Sequence, residues 1–146
     1  MFLLFLNCNI KTETLTSKQI LEKSIQKHDA KNLWNVTDVK LHIEEPRIAN
    51  PYRYSILKLS NSNNSFELQR NREKSISTHK IDSEGNSSTL LDGKITTDSL
   101  LIKKYRLNPE RNFGYKRFYQ LLLGLPMSLK NEEITITMYH IINYCM

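Results

Sequence analysis

The chain has 146 residues, enough for one domain with a real core and too few for two. An apolar fraction of 39% and a charged fraction of 25% fit a globular protein, and no run of 18 apolar residues is present to span a membrane. The formal charge of +6 divides evenly between the two halves, which excludes a basic tail.

The chain opens Met-Phe-Leu-Leu-Phe-Leu-Asn-Cys8 and turns polar at Lys11. An apolar run that ends at a cysteine before a polar tether reads as the remnant of a lipoprotein signal over residues 1–14. Cys8 is then the lipid anchor. The basic n-region of such a signal is missing, the apolar stretch is short, and Asn7 is bulky for its position. The alternative is a buried N-terminal strand with an inert cysteine. Cys145 lies near the other end, and neither cysteine has a partner at zinc-binding spacing.

Residues 15–29 carry a helix. Thr16 and Gln19 form a capping box, and Ile20, Leu21, Ser24, Ile25 and His28 follow along one side. The period then changes to two. Val39, Leu41 and Ile43 mark one strand, and Glu45-Pro46 ends it. Tyr52, Tyr54 and Ile56 mark a second strand up to Leu59. Phe66 and Leu68 mark a third after the polar tip at residues 60–65. Residues 74–82 and 87–91 form a hairpin in which His79 is expected to be exposed. Asp92-Gly93 signals a tight turn.

Asp98 starts a short helix to about Tyr105, and Asn108-Pro109 cap and open another. In that helix Tyr115, Phe118, Tyr119 and Leu122 are expected to form the packed face. Gly124 is placed at a left-handed C-terminal position, with Pro126 as the stop. Ile134, Ile136, Met138, Ile142 and Tyr144 mark a last strand, apolar enough to expect a further partner and hence an incomplete chain. The sum is an α+β domain over residues 15–146, an antiparallel sheet with an N-terminal helix and two helices covering one face.

Chemistry is sparse. His42 and Glu44 share a strand face but lack a third ligand, so no metal is expected. No nucleophile–base constellation and no glycine-rich phosphate loop occurs, so neither a catalytic residue, an enzyme nor a cofactor is expected. One segment concentrates charge: Lys103, Lys104, Arg106, Arg111, Lys116 and Arg117 stand against Glu110 alone. It reads as a solvated helix face, or alternatively as a surface for an anionic polymer or membrane.

Five segments carry a resemblance: Leu21 to Asp29 with Trp34, Val39 to Ile43, Leu91 to Lys94, Lys104 to Leu107, and Tyr119 to Met127. Through them the chain resembles an uncharacterised family of bacterial envelope lipoproteins, whose fold is similar to the outer-membrane lipoprotein carriers LolA and LolB. The resemblance implies a curved half-barrel sheet under helices, incomplete here at its C-terminal strands. It also implies a periplasmic or outer-membrane location, anchored to the membrane through lipid on Cys8. A lipid or other apolar small molecule is the implied partner, and nucleic acid is not. Trp34, Tyr54, Ile56 and Phe66 are the candidates to line such a ligand's cavity, and read equally well as core. A truncated gene product without activity is the remaining alternative.

Overall fold

The protein is described by a computed structural model covering residues 15–130. Helix α1 spans Ser17–His28, followed by a 3-10 turn at Trp34–Val36. Strands β1 (Asp38–Glu44), β2 (Tyr54–Ser60), β3 (Ser65–Arg72), β4 (Ser75–Ile81) and β5 (Ser87–Leu91) come next. Helices α2 (Ser99–Tyr105) and α3 (Arg111–Leu123) and a 3-10 turn at Met127–Lys130 complete the order. The strands pair with their sequence neighbours, all antiparallel, in an open sheet of order β1-β2-β3-β4-β5. The expected α+β architecture is therefore present. The last expected strand, Ile134 to Tyr144, and Cys8 lie outside the described residues.

Local signals act where the sequence put them. Thr16 and Gln19 close the capping box of α1. Asp92 and Gly93 both take positive φ, 50° and 79°, as a tight hairpin turn with the right twist demands. Asp98 Oδ1 accepts from Leu100 N at 2.8 Å and Leu101 N at 3.2 Å, capping α2.

Register sets the faces. Val39, Leu59, Phe66 and Ile81 stand in one cross-strand row, and Leu41, Leu57, Leu68 and His79 in the next. Tyr115, Tyr119 and Leu123 of α3, together with Trp34, pack against these rows, so α3 covers this face of the sheet. The inward phase of β2 is thus Ser55, Leu57 and Leu59, opposite to the phase expected from Tyr52, Tyr54 and Ile56. Leu57 and Leu59 face apolar partners on both neighbouring strands, and a one-residue shift in phase would send both outward.

Three further expectations need correction. The packed stripe of α3 runs through Asn112, Tyr115, Lys116, Tyr119 and Leu123, while Phe118 and Leu122 are exposed. Two polar residues hold the buried side because each has acceptors waiting on the sheet or its loops. The helix begins at Arg111, not at Pro109, and Asn108 instead stabilises the preceding turn by accepting from Glu110 N at 3.0 Å. Gly124 has φ −95°, so handedness does not require it. A Cβ there would lie 2.5 Å from the Trp34 ring and 2.6 Å from the Gln120 carbonyl oxygen. Glycine is needed because the indole closes on the backbone; the left-handed C-cap belongs to Arg106, at φ 59°.

The polar tip between β2 and β3 has a structural task. Asn61 Nδ2 donates to Trp34 O at 2.8 Å, and Asn64 accepts twice from Lys116 Nζ, each time at 2.6 Å. These contacts fasten the tip to α3 and to the turn that carries Trp34.

Candidate functional site

Strand β3 continues its inward alternation past the core. After Phe66 and Leu68 come Arg70 and Arg72, so two guanidinium groups occupy positions that a simple pattern would fill with apolar residues. Beside Arg70 in the same cross-strand row lie Ser55 on β2 and Ser77 on β4. Both serines are buried. The covered face thus changes from apolar to polar along the strands, and α3 sits over the apolar part.

Arg72 is tied to Glu45, just beyond β1. Its Nη2 donates to both Glu45 oxygens at 3.0 and 2.9 Å, and Arg53 Nε donates to Oε2 at 3.1 Å. The Ser55 hydroxyl donates to Oε1 at 2.7 Å. Burial alone would raise the Glu45 pKa. The Ser55 hydrogen bond and the charges of Arg72 and Arg53 outweigh it, leaving the carboxyl below the ordinary glutamate range. Arg72 is pushed down from its ordinary value, first by burial and then by repulsion from Arg70. It remains charged.

Arg70 lies against Tyr115, 5.8 Å from the ring centroid and 3.5 Å from the hydroxyl, and has no carboxylate in ion-pair range among the described residues. Arg72 Nε is buried without a hydrogen-bond partner among the described residues. From the other side, the end of α2 adds Lys104, Tyr105 and Arg106. Lys104 Nζ donates to Glu73 at 2.8 Å. Together Arg53, Arg70, Arg72, Glu73, Ser77, Lys104, Tyr105 and Arg106 line a recess of about 340 Å³. Five basic side chains against Glu73 and the adjoining Glu45 leave a local charge of +3. Such a recess can attract and hold an anion.

Next to it, His79 is wholly buried, not exposed as its strand context suggested. Its Nδ1 lies 3.0 Å from Asn112 Oδ1. The Asn112 amide nitrogen donates to Ser88 O and Ser87 Oγ, both at 2.9 Å, so the Asn112 oxygen faces the imidazole and Nδ1 carries the hydrogen. Burial lowers the His79 pKa, against a smaller upward push from Asn112 and with help from Arg70, and keeps the ring neutral. His79, Asn112 and Tyr115 join α3 to the floor of the recess, with the His79 and Tyr115 rings edge to face at 5.2 Å.

A family described as being of unknown function, DUF6503, matches residues 1–141. The chain belongs to the DUF6503 family. No curated protein and no solved structure gives a significant match.

In this DUF6503 chain the residues singled out by sequence divide. Phe66 and Trp34 belong to the core under α3, whereas Tyr54 and Ile56 project from the opposite face of the sheet, where Tyr54 meets His42 at 5.2 Å. The four therefore do not line one cavity. Of the basic segment, Lys104 and Arg106 reach the recess. Lys103, Arg111 and Arg117 are exposed and do not line it, and Lys116 turns inward to Asn64. Arg53, just before β2, and the β3 arginines Arg70 and Arg72 were missed. Their signal was available for two of them: Arg70 and Arg72 continue the i, i+2 phase of Phe66 and Leu68. His42 and Glu44 gain no third ligand, and no group of three His, Cys, Asp or Glu among the described residues is placed to hold a metal.

Proposed function

We propose that the protein is a non-enzymatic binding module that holds a small anionic ligand in the arginine-walled recess at the polar end of the helix-covered face. The convergence of Arg53, Arg70, Arg72, Lys104 and Arg106 from β2's entry, β3 and α2 on one recess carries this reading. Gathering like charges in a partly desolvated place costs stability, and a bound anion relieves that cost. The volume falls at the lower end of small-molecule sites, about 300–1,000 Å³.

A ligand that binds only the folded protein raises its stability by about 2.7 kcal/mol at a hundredfold excess over Kd. Thermal unfolding in citrate, phosphate and sulfate, at ionic strength matched with chloride, should therefore show a saturable rise in midpoint. Combined Lys104→Gln and Arg106→Gln substitution should shrink the rise. A midpoint that follows ionic strength alone, in both proteins, would refute the site.

The envelope setting belongs to the same proposal. Support comes from the apolar run before Cys8, outside the described residues, and from the sequence resemblance to envelope lipoproteins whose fold is similar to LolA and LolB. Expression of the full-length gene in a bacterium should yield a mature protein that begins at Cys8 and carries acyl mass. An intact N-terminus without acyl chains would remove the anchor from the proposal. An apolar ligand on the sheet is the weaker reading, because α3 already occupies the apolar rows.

A further inference from the structure

We propose that the anion taken by the recess is a tetrahedral dianion of the phosphate monoester class; this deepens the anion-binding reading and rests on it. The first ground is that the carboxylate position is already filled from within the chain. Glu45 receives Arg53, both of its oxygens receive Arg72, and Ser55 completes its shell. A guanidinium recognises carboxylate and phosphate alike, and here the chain already supplies the carboxylate with its own Glu45.

The second ground is the arrangement of what remains. Arg70 comes from the last part of β3, Ser77 from β4, and Lys104 and Arg106 from the end of α2. Donors arriving from three elements match an acceptor whose oxygens point in several directions. A tetrahedral anion has that shape, and a carboxylate presents only one plane and one edge.

The third ground is charge and size. A local excess of +3, counted with Glu45 and Glu73 in place, is poorly neutralised by a single negative charge. About 340 Å³ holds a phosphoryl group and a small organic part. Tyr105 supplies one aromatic wall for that part, and its neighbours Arg106, Lys104 and Glu73 are all polar.

The test is calorimetric titration of the folded protein with glycerol 2-phosphate, sulfate and succinate, at constant ionic strength, at pH 5.0 and 7.5. A monoester takes its second charge near pH 6, so its affinity should rise by up to about tenfold across this interval if the dianion binds. Sulfate is a dianion throughout and corrects for pH-dependent changes in the protein itself, around a recess bordered by Glu45, Glu73 and His79. Succinate should bind at least about tenfold more weakly than the monoester at pH 7.5. Arg70→Gln should weaken monoester and sulfate together by about tenfold or more. Lys104→Gln, at a half-exposed position whose surface ion pair with Glu73 contributes little to stability, should weaken both by about threefold and reduce the salt dependence.

Succinate binding as well as the monoester, or a monoester affinity flat with pH relative to sulfate, overturns the tetrahedral assignment and leaves the anion site standing. Absence of binding by all three anions overturns both. A short-chain phosphatidic acid presents the same group on a lipid. Its binding more tightly than glycerol 2-phosphate would name a lipid headgroup as the source, and the reverse order would name a free metabolite.

Discussion

Replacing Asn112 with alanine should destabilise the fold by about 3 kcal/mol and loosen α3 from the sheet. Asn112 is fully buried and satisfies groups on two strands at once, His79 on β4 and the Ser87–Ser88 backbone and hydroxyl on β5. Truncation leaves the buried His79 N–H without a partner, at about 1–3 kcal/mol, and takes away the bonds to Ser87 and Ser88. A small void adds to the loss. Urea unfolding with a matched measurement of the His79→Leu variant and the double mutant checks the mechanism. The double mutant should lose less than the sum of the singles, by about 1 kcal/mol, because the leucine no longer needs the acceptor. Strict additivity would show that the pair does not act as a unit.

Glu45→Gln should move stability and anion affinity in opposite directions. The carboxylate is the counter-ion of Arg53 and Arg72, whose side chains are only 20% and 14% exposed. Removing its charge leaves two guanidinium groups uncompensated in a partly desolvated place, a loss of about 2 kcal/mol after allowance for the solvent that reaches them. The same change removes one negative charge from beside the recess. Affinity for an added anion should therefore rise by about fivefold, the effect of roughly 1 kcal/mol of relieved repulsion. A loss of both stability and affinity would mean that Glu45 positions the arginines rather than competing with the ligand.

Acid unfolding supplies the sign of the same interaction. The folded pKa of Glu45 lies below its ordinary value, so its stabilising contribution is complete above the unfolded glutamate pKa of about 4.3. That contribution is lost as pH falls through the lower folded value, since the unfolded chain then binds the proton first. The glutamine variant lacks this part of the slope. Its stability should fall less steeply below about pH 4 than that of the native protein.

Several local signals in the sequence were enough to read the elements they start or turn, although Asn108-Pro109 and Gly124 were not. Thr16 and Gln19, Asp98, and Asp92-Gly93 each act through their own backbone within a few residues, so no distant partner was needed to read them. The candidate site was harder to see. Lys104 and Arg106 stood out as part of a basic run, yet the arginines they meet lie more than thirty residues earlier. Arg70 and Arg72 followed the inward phase of β3, but charged residues at the end of a strand ordinarily indicate solvent. His79 was misread for a related reason: a histidine between threonine and lysine looks exposed until Asn112 arrives from α3 to bond it.

Sequence alone determined the order of elements, the caps that open α1 and α2, the Asp92-Gly93 turn and the antiparallel meander, because these follow from side-chain period and backbone preference over short distances. Tertiary structure decided which phase of β2 faces inward, since Leu57 and Leu59 are buried only by partners on β1, β3 and α3. It also decided why Gly124 is glycine, through the approach of Trp34 from ninety residues away. Above all it assembled the recess, because attraction between Glu45 and Arg72 and the repulsion among the arginines exist only once three separate elements share one space.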